Sequence, residues 1–530
     1  MKIFKFLLLG LTVIPVMLSA QYNDNESLAK RIKSLQQKSN IVSSSSIVKT
    51  AGGKDIFLVR IGTGDVDNKP GIAIIGGIKG SSLASAEIVM EMAEKMISQN
   101  SGIINDVTFY FFPDVSPDAS AQYFSSLKYE RDENGNPFDD DRDGKTDEDG
   151  YDDLNNDGLI TWMRIKDPAK GELYVHPENP AVMVKADISK NEKGEYIVIK
   201  EGTDNDKDGK INEDTEGGTI FNKNFSFNYP YFEFGAGLNA ISETETRALA
   251  GFLFDHWNIF AVLCIGPENN LSKYSDLKVS LADKKITAVI PEQEKPYFER
   301  IAFLYNKLVK LGEPLEIQSK GGDFLSWSYF HYSRYAFSTP AWNVKSNKNN
   351  LGSAEYDYLK WASDNTLDNQ TVDWQKIRHP DFPDKEVEVG GIKPFACMNP
   401  PVQVLDTVSN KHLDFLIGLA EMHPGLSFND IKIEKRNADI YFIQAELTNT
   451  GKFPTMSALG INSPWVKRIR LESIVTPKQE IVGGRKLFLF NRINPGETVK
   501  AEWLIKGKGM ISLKAGSPQT GYISKNVELK

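Results

Sequence analysis

The stretch Gly71-Ile72-Ala73-Ile74-Ile75-Gly76-Gly77-Ile78-Lys79-Gly80-Ser81-Ser82 decides how the chain is read. Its opening run is uniformly apolar, as in a strand buried on both faces of a sheet. Two glycines break the run, and residues 83–98 then carry apolar side chains at helical spacing. A second apolar run, 107–113, follows. Strand, glycine turn, helix and strand in that order make a βαβ unit, which predicts a mostly parallel sheet covered by helices.

On the amino-terminal side, residues 24–40 read as a polar amphipathic helix. Residues 46–62 read as a hairpin turning at Gly52-Gly53-Lys54-Asp55. On the other side, a stretch rich in Asp, Asn and Gly, about 128–217, interrupts the pattern as an acidic insertion. After it, Ser242-Glu243-Thr244-Glu245 has the form of a capping box, with Ser242 at the N-cap and Glu245 at the third helical position. The helix it opens carries Ala248, Leu249, Phe252 and Leu253 on one apolar face. Residues 259–265 predict a strand at a sheet centre, and 297–311 an amphipathic helix closed by Gly312. From about 425 the texture changes to short alternating runs (440–447, 466–474, 486–490 and 499–505) separated by Gly, Pro and Asn turns. This predicts an all-β sandwich, with its boundary near His423-Pro424-Gly425.

A chain of 530 residues exceeds one ordinary core and implies two to four domains. Its 40% apolar and 25% charged content is that of a soluble globular protein. The formal net charge of -9 argues against nucleic acid or anionic membranes as main partners. Lys2 and Lys5, an apolar run over 6–18, and Leu18-Ser19-Ala20 predict a signal peptide over 1–20, hence an exported protein, periplasmic or secreted, with no membrane span. With Cys264 and Cys397 alone there is no disulfide framework. Cys264, inside an apolar run, reads as a buried free thiol, with one bridge as the alternative.

Three acidic segments place oxygen ligands at alternate positions ahead of a glycine: Asp139, Asp141 and Asp143; Asp153, Asn155 and Asp157; Asp204, Asp206 and Asp208. Alternate side chains in a tight loop converge on one cation, and the glycine permits the bend. Asp149 and Asp214 can each add a carboxylate. No loop carries the bidentate Glu of a full EF-hand at its twelfth position, so the expectation is structural calcium of modest affinity.

The chain resembles the zinc carboxypeptidases of the carboxypeptidase A type, in particular exported bacterial members with acidic insertions and a C-terminal β-domain. The residues that carry the resemblance are Gly76-Gly77-Ile78-Lys79, Ser116-Pro117-Asp118-Ala119, Asn222-Lys223-Asn224-Phe225, Ser242-Glu243-Thr244-Glu245-Thr246, His379-Pro380-Asp381, Glu386-Val387-Glu388-Val389-Gly390-Gly391, Asn399-Pro400-Pro401 and Asn449-Thr450-Gly451-Lys452-Phe453-Pro454-Thr455. The resemblance implies an α/β fold with a mixed central sheet covered by helices over 21–424, followed by a β-sandwich over 425–530. It also implies a zinc held by two His and a Glu, with a further Glu as general base.

At those positions this chain has Lys79, Ser82, Ile265 or Gly266, and Ala341 or Pro340. A protonated lysine is a poor zinc ligand and a serine hydroxyl a weak one. None of the six histidines (His176, His256, His331, His379, His412, His423) has a second donor at ligand spacing, so zinc is not expected. The family's Asn-Arg pair, which grips a substrate's terminal carboxylate, becomes Asn222-Lys223. That keeps the charge but loses the bidentate fork. Arg131 is a further anchor candidate, and Lys79 places a fixed positive charge where the metal would sit. The leading expectation is a noncatalytic relative that binds peptides or C-terminal carboxylates. An active peptidase with non-standard ligands and a calcium-stabilised structural or adhesion module are the alternatives.

Overall fold

The computed structural model describes residues 22–99, 101–139, 142–272, 288–309, 311, 321–345, 351 and 353–530. The expected leader lies outside the described residues, as do Asp141 and Gly312.

The chain begins with α1 (Asn25–Lys38), the hairpin β1 (Val42–Lys49) and β2 (Asp55–Ile61), β3 (Gly71–Ile75), α2 (Leu83–Ser98), β4 (Thr108–Phe112) and the single turn α3 (Pro117–Ser120). The acidic insertion then supplies β5 (Trp162–Lys166), β6 (Leu173–Val175), β7 (Met183–Lys185) and β8 (Tyr196–Lys200). Next come α4 (Thr244–Asp255), β9 (Ile259–Ile265), α5 (Lys295–Leu308), α6 (Phe324–Phe330), β10 (Tyr335–Thr339), α7 (Ala354–Asp364), β11 (Thr371–Ile377), β12 (Val387–Ile392) and α8 (Val402–Ala420). The last region is all strand: β13 (Leu426–Lys435), β14 (Ile440–Asn449), β15 (Ile469–Ile474), β16 (Glu480–Gly483), β17 (Leu487–Phe490), β18 (Thr498–Lys506), β19 (Gly509–Ser517) and β20 (Gly521–Leu529).

The central sheet runs β1-β2-β4-β3-β9-β10. The hairpin pairs antiparallel, while β4, β3, β9 and β10 pair parallel, so the sheet is mixed as expected. Every residue of β3, β4, β9 and β10 is buried, which is why these segments read as unbroken apolar runs. Alternate side chains feed opposite cores. Ile72, Ile74, Phe109, Phe111 and Leu263 pack with α1, α2, α5 and α8. Ala73, Ile75, Tyr110, Phe112 and Val262 pack with α4 and α6.

Three sequence expectations need correction. The insertion is not merely loop. Its four strands join β11 and β12 in a second six-stranded antiparallel sheet, β11-β12-β5-β8-β6-β7. The capping box does not form. α4 starts at Thr244 with Glu243 as N-cap and no side-chain cap, because Ser242 donates instead to Glu243 Oε1 (2.7 Å) while Asn134 and Asn136 hold the other Glu243 oxygen. The helix expected over 297–311 is α5, which starts two residues earlier, with Pro296 in its first turn.

The last eight strands form two four-stranded antiparallel sheets, β13-β14-β18-β16 and β17-β15-β19-β20, around Ile443, Leu447, Leu471, Trp503 and Leu513. This unit is joined to the α/β part by buried polar contacts. Arg334 donates to Trp465 O (3.0 Å), Ser457 to Ser333 O (2.9 Å) and Gln519 to Ile259 O (3.1 Å). Arg492 pairs with Glu294, whose side chain is fully buried. Both cysteines are free thiols, and Cys264 is buried. Among the described residues no helix is long and apolar enough to cross a membrane.

Candidate functional site

The parallel strands end together at one edge, and their loops converge there, where α/β sheets hold ligands. Gly77 turns the chain out of β3 at φ +66°, with its Cα close to Asp114; a Cβ there would lie 2.2 Å from Asp114 Oδ1. Gly266, just past β9, packs on Ile78 and donates its N–H to Thr339 O (3.0 Å) at the end of β10. The residue before Lys79 and the ends of β9 and β10 therefore meet at this edge.

The donor set at that edge does not fit zinc. Lys79 Nζ is bound to Asp132 Oδ2 at 2.6 Å, and Asp132 Oδ1 accepts from Ser81 N (3.0 Å) and Ser81 Oγ (2.8 Å). Burial alone would lower the pKa of the Lys79 ammonium, but the attraction of Asp132 outweighs it and holds the amine above its ordinary value. The same pairing keeps the Asp132 carboxyl below the usual range despite its burial. The charge expected to await a ligand is thus neutralised by the chain's own insertion. Ser82 is the N-cap of α2 without a side-chain cap, Ile265 is fully buried, and Ala341 is buried with its carbonyl facing His412 Nε2 at 3.2 Å.

The histidines are occupied elsewhere. His379 bonds Gly202 O (2.8 Å), His256 stacks on Phe252, His176 stacks on Tyr356, His331 meets Ser226 Oγ (2.9 Å) and His423 meets Pro424 O (2.9 Å). Burial lowers the His412 imidazole to about 4, so it stays neutral.

The three anchor candidates are also committed. Asn222 Nδ2 donates to Glu268 Oε1 (2.6 Å), and its Oδ1 accepts from Phe324 N (3.0 Å). Lys223 Nζ donates to Phe234 O (2.8 Å) and lies 5.7 Å from that ring's centroid. Arg131, 5% exposed, donates to Glu133 O and Asn134 O and pairs with Glu216. The sequence reading missed Glu268. It is buried at this edge, and loss of solvation together with Asp323 pushes its carboxyl up to about 8. Nothing marked it in the sequence except its place three residues past a central strand.

The acidic loops fold as the spacing suggests. Residues 142, 144 and 147 take positive φ, and so do 207, 209 and 212, so the first and third loops share one backbone form. They lie together: Asp143, Glu148 and Asp206 form one group, and Asp204, Asp206 and Asp208 another, each with oxygens within 4.8 Å of one another. Glu148, rather than Asp149, faces the group. Asp149 spends both oxygens on Asn205 N (2.8 Å) and Asn212 N (2.6 Å), tying the loops together through a bridge to Asp214. Asp139 accepts from Gly144 N (3.0 Å), and its other oxygen is buried without a hydrogen-bond partner, as are both oxygens of Glu148. Loss of solvation pushes the Glu148 and Glu213 carboxyls up to about 7. Asp153, Asn155 and Asp157 bond within their own loop and join neither group.

Compared with known proteins, residues 28–152 match the zinc carboxypeptidase family, and residues 425–528 match a domain of unknown function. No curated protein is similar enough in sequence to count as a relative. Among solved structures, bovine thrombin-activatable fibrinolysis inhibitor in complex with tick carboxypeptidase inhibitor is 11% identical, over 76% of this chain and 96% of that one, with a TM-score of 0.40. Carboxypeptidase A from Helicoverpa armigera is 12% identical, over 66% and 74%, with a TM-score of 0.37. A metallo-carboxypeptidase from Burkholderia cenocepacia is 11% identical, over 64% and 69%, with a TM-score of 0.30.

Proposed function

We propose that this chain, which belongs to the zinc carboxypeptidase family through residues 28–152, is an exported member that binds peptides without hydrolysing them through zinc. The observation that carries this reading is the Lys79–Asp132 pair, which fills the first ligand position with an amine already bound to a carboxylate. Ser82, Ile265 or Gly266, and Ala341 or Pro340 supply no replacement ligand or base. Peptide as ligand class follows from the family's substrates. With Asn222, Lys223 and Arg131 engaged internally, a free C-terminal carboxylate would have to displace existing bonds to be held by them.

Zinc analysis and a carboxypeptidase assay on one purified sample test this reading. The expected result is far less than one zinc per chain and no release of C-terminal residues. A Lys79→His/Ser82→Glu variant is expected to remain inactive, because the third ligand and the base are still missing. One tightly held zinc per chain with chelator-sensitive hydrolysis would overturn the proposal.

The paired first and third loops support a second, structural assignment. Calcium, held by Asp139, Asp143, Glu148, Asp204, Asp206 and Asp208, would neutralise carboxylates that otherwise repel. Asp141 belongs to the same loop by its spacing.

A further inference from the structure

A groove of about 550 Å³ lies where the sandwich meets the β2–β3 turn of the α/β part. One wall is the outer face of the sheet containing β15, β19 and β20. Across these strands Arg470, Gly516 and Tyr522 form one row, and Glu472 and Lys514 belong to the next. The middle position of the first row has no side chain. Gly516 sits at φ +148°, and a Cβ there would lie 2.8 Å from Tyr522 Cδ1. The row therefore has a trough at its centre, and the Tyr522 ring leans over the glycine while staying 39% exposed. Asp65 and Asn68, from the turn between β2 and β3, form the facing wall.

The groove is preformed. Gly521 sits against Asn68, its Cβ position 3.4 Å from Asn68 O, and the buried contacts of Arg334, Ser457 and Gln519 fix the two units together nearby. Its size falls within the range of small-ligand sites, which favour such seams. Its lining carries two acids, Asp65 and Glu472, and two bases, Arg470 and Lys514. Arg470 lies 3.7 Å from Glu472, Asn68 Nδ2 bonds both Asp65 oxygens, and Lys514 Nζ lies 5.2 Å from the Tyr522 centroid. A lining that is electrically balanced, dense in hydrogen-bond donors and acceptors and fitted with one exposed aromatic ring suits a neutral polyhydroxylated ring better than an ion or an apolar ligand.

We propose that this groove binds a neutral saccharide, with a sugar ring against Tyr522 and its hydroxyls bonded by Arg470, Glu472 and Asp65. The site is separate from the strand-end edge and does not depend on whether that edge is catalytic.

Titration calorimetry of the full chain with chitotetraose, cellotetraose and maltotetraose, each to millimolar concentration, tests the proposal. At least one sugar should bind. Tyr522→Ala should weaken it roughly tenfold or more, while Tyr522→Phe stays within about threefold. Thermal melting of each variant checks that the fold is kept, and Arg470→Ala, whose side chain is exposed, gives a second reading free of folding effects. The proposal is overturned by no heat with any of the three sugars, by binding that ignores both Tyr522→Ala and Arg470→Ala, or by a zwitterionic dipeptide such as Ala-Ala occupying the groove in their place.

Discussion

Replacing Arg492 by methionine is expected to destabilise the protein by about 3–5 kcal/mol, the cost of stranding a buried charge. Arg492 reaches from the sandwich to Glu294, which precedes α5 in the α/β part and is fully buried. Glu294 Oε1 also accepts from Tyr335 Oη (3.2 Å) and Ala458 N (3.2 Å). Burial raises the Glu294 carboxyl, with Arg492 opposing that shift, so without the guanidinium the folded state must either hold an unpaired anion or take up a proton. A Glu294→Leu/Arg492→Met double variant should recover much of the loss, since removing both partners leaves no stranded charge. Denaturant unfolding measures both. In the single variant the two units should also unfold in separate steps, because this pair belongs to the polar seam that joins them. Equal stability of the single variant and the parent would refute the argument.

Much of the scaffold was legible because burial on both faces leaves a plain signature. The run Ile259–Ile265 can hardly be anything but a central strand. The glycine turn at Gly76-Gly77 was equally clear, since Pro113 O, Ser85 O and Asp114 crowd the places where side chains would stand. The second sheet was hidden. Its strands β5 to β8 are three to five residues long, set among Asp, Asn and Gly that spell turns, and β5 takes one of its two partners from β12, far along the chain.

The candidate edge was half legible. Which residues stand at positions 79 and 82, at 265 or 266, and at 340 or 341 could be read directly. That Asp132 would reach back to Lys79, or that Asn222 would turn to Glu268, could not, because such pairs leave no periodic trace and depend on tertiary placement. That Glu148, next to the expected Asp149, would stand in the carboxylate group was hidden for a related reason. Backbone N–H groups of the opposite loop claim Asp149, and only the assembled pair of loops reveals it.

Calcium should matter about as much as a lost buried side chain. At a concentration about one hundred times the dissociation constant, an ion bound only by the folded state adds about 2.7 kcal/mol. For a site in the range of roughly 10⁻⁴–10⁻³ M, that condition is approached in tens of millimolar calcium. Melting in calcium against melting in EDTA should therefore separate clearly. Asp206→Ala should abolish the difference, because Asp206 is the one residue shared by both carboxylate groups. Identical melting in both buffers, or a response that survives Asp206→Ala, would show that these loops are held by their own hydrogen bonds.

The second sheet has a consequence for anyone wishing to cut the molecule into parts. β5 of the insertion is stitched on one side to β8, its near neighbour, and on the other to β12, with Trp162 opposite Gly390. β9 and β10 of the central sheet are laid down between those two halves of the chain. The insertion is therefore not a cassette. Deleting it would leave β12 with a bare edge toward water, and transplanting it alone would carry away a sheet lacking two of its six strands. During synthesis the same interleaving forces β5 to wait, half paired, until residue 387 and beyond have emerged.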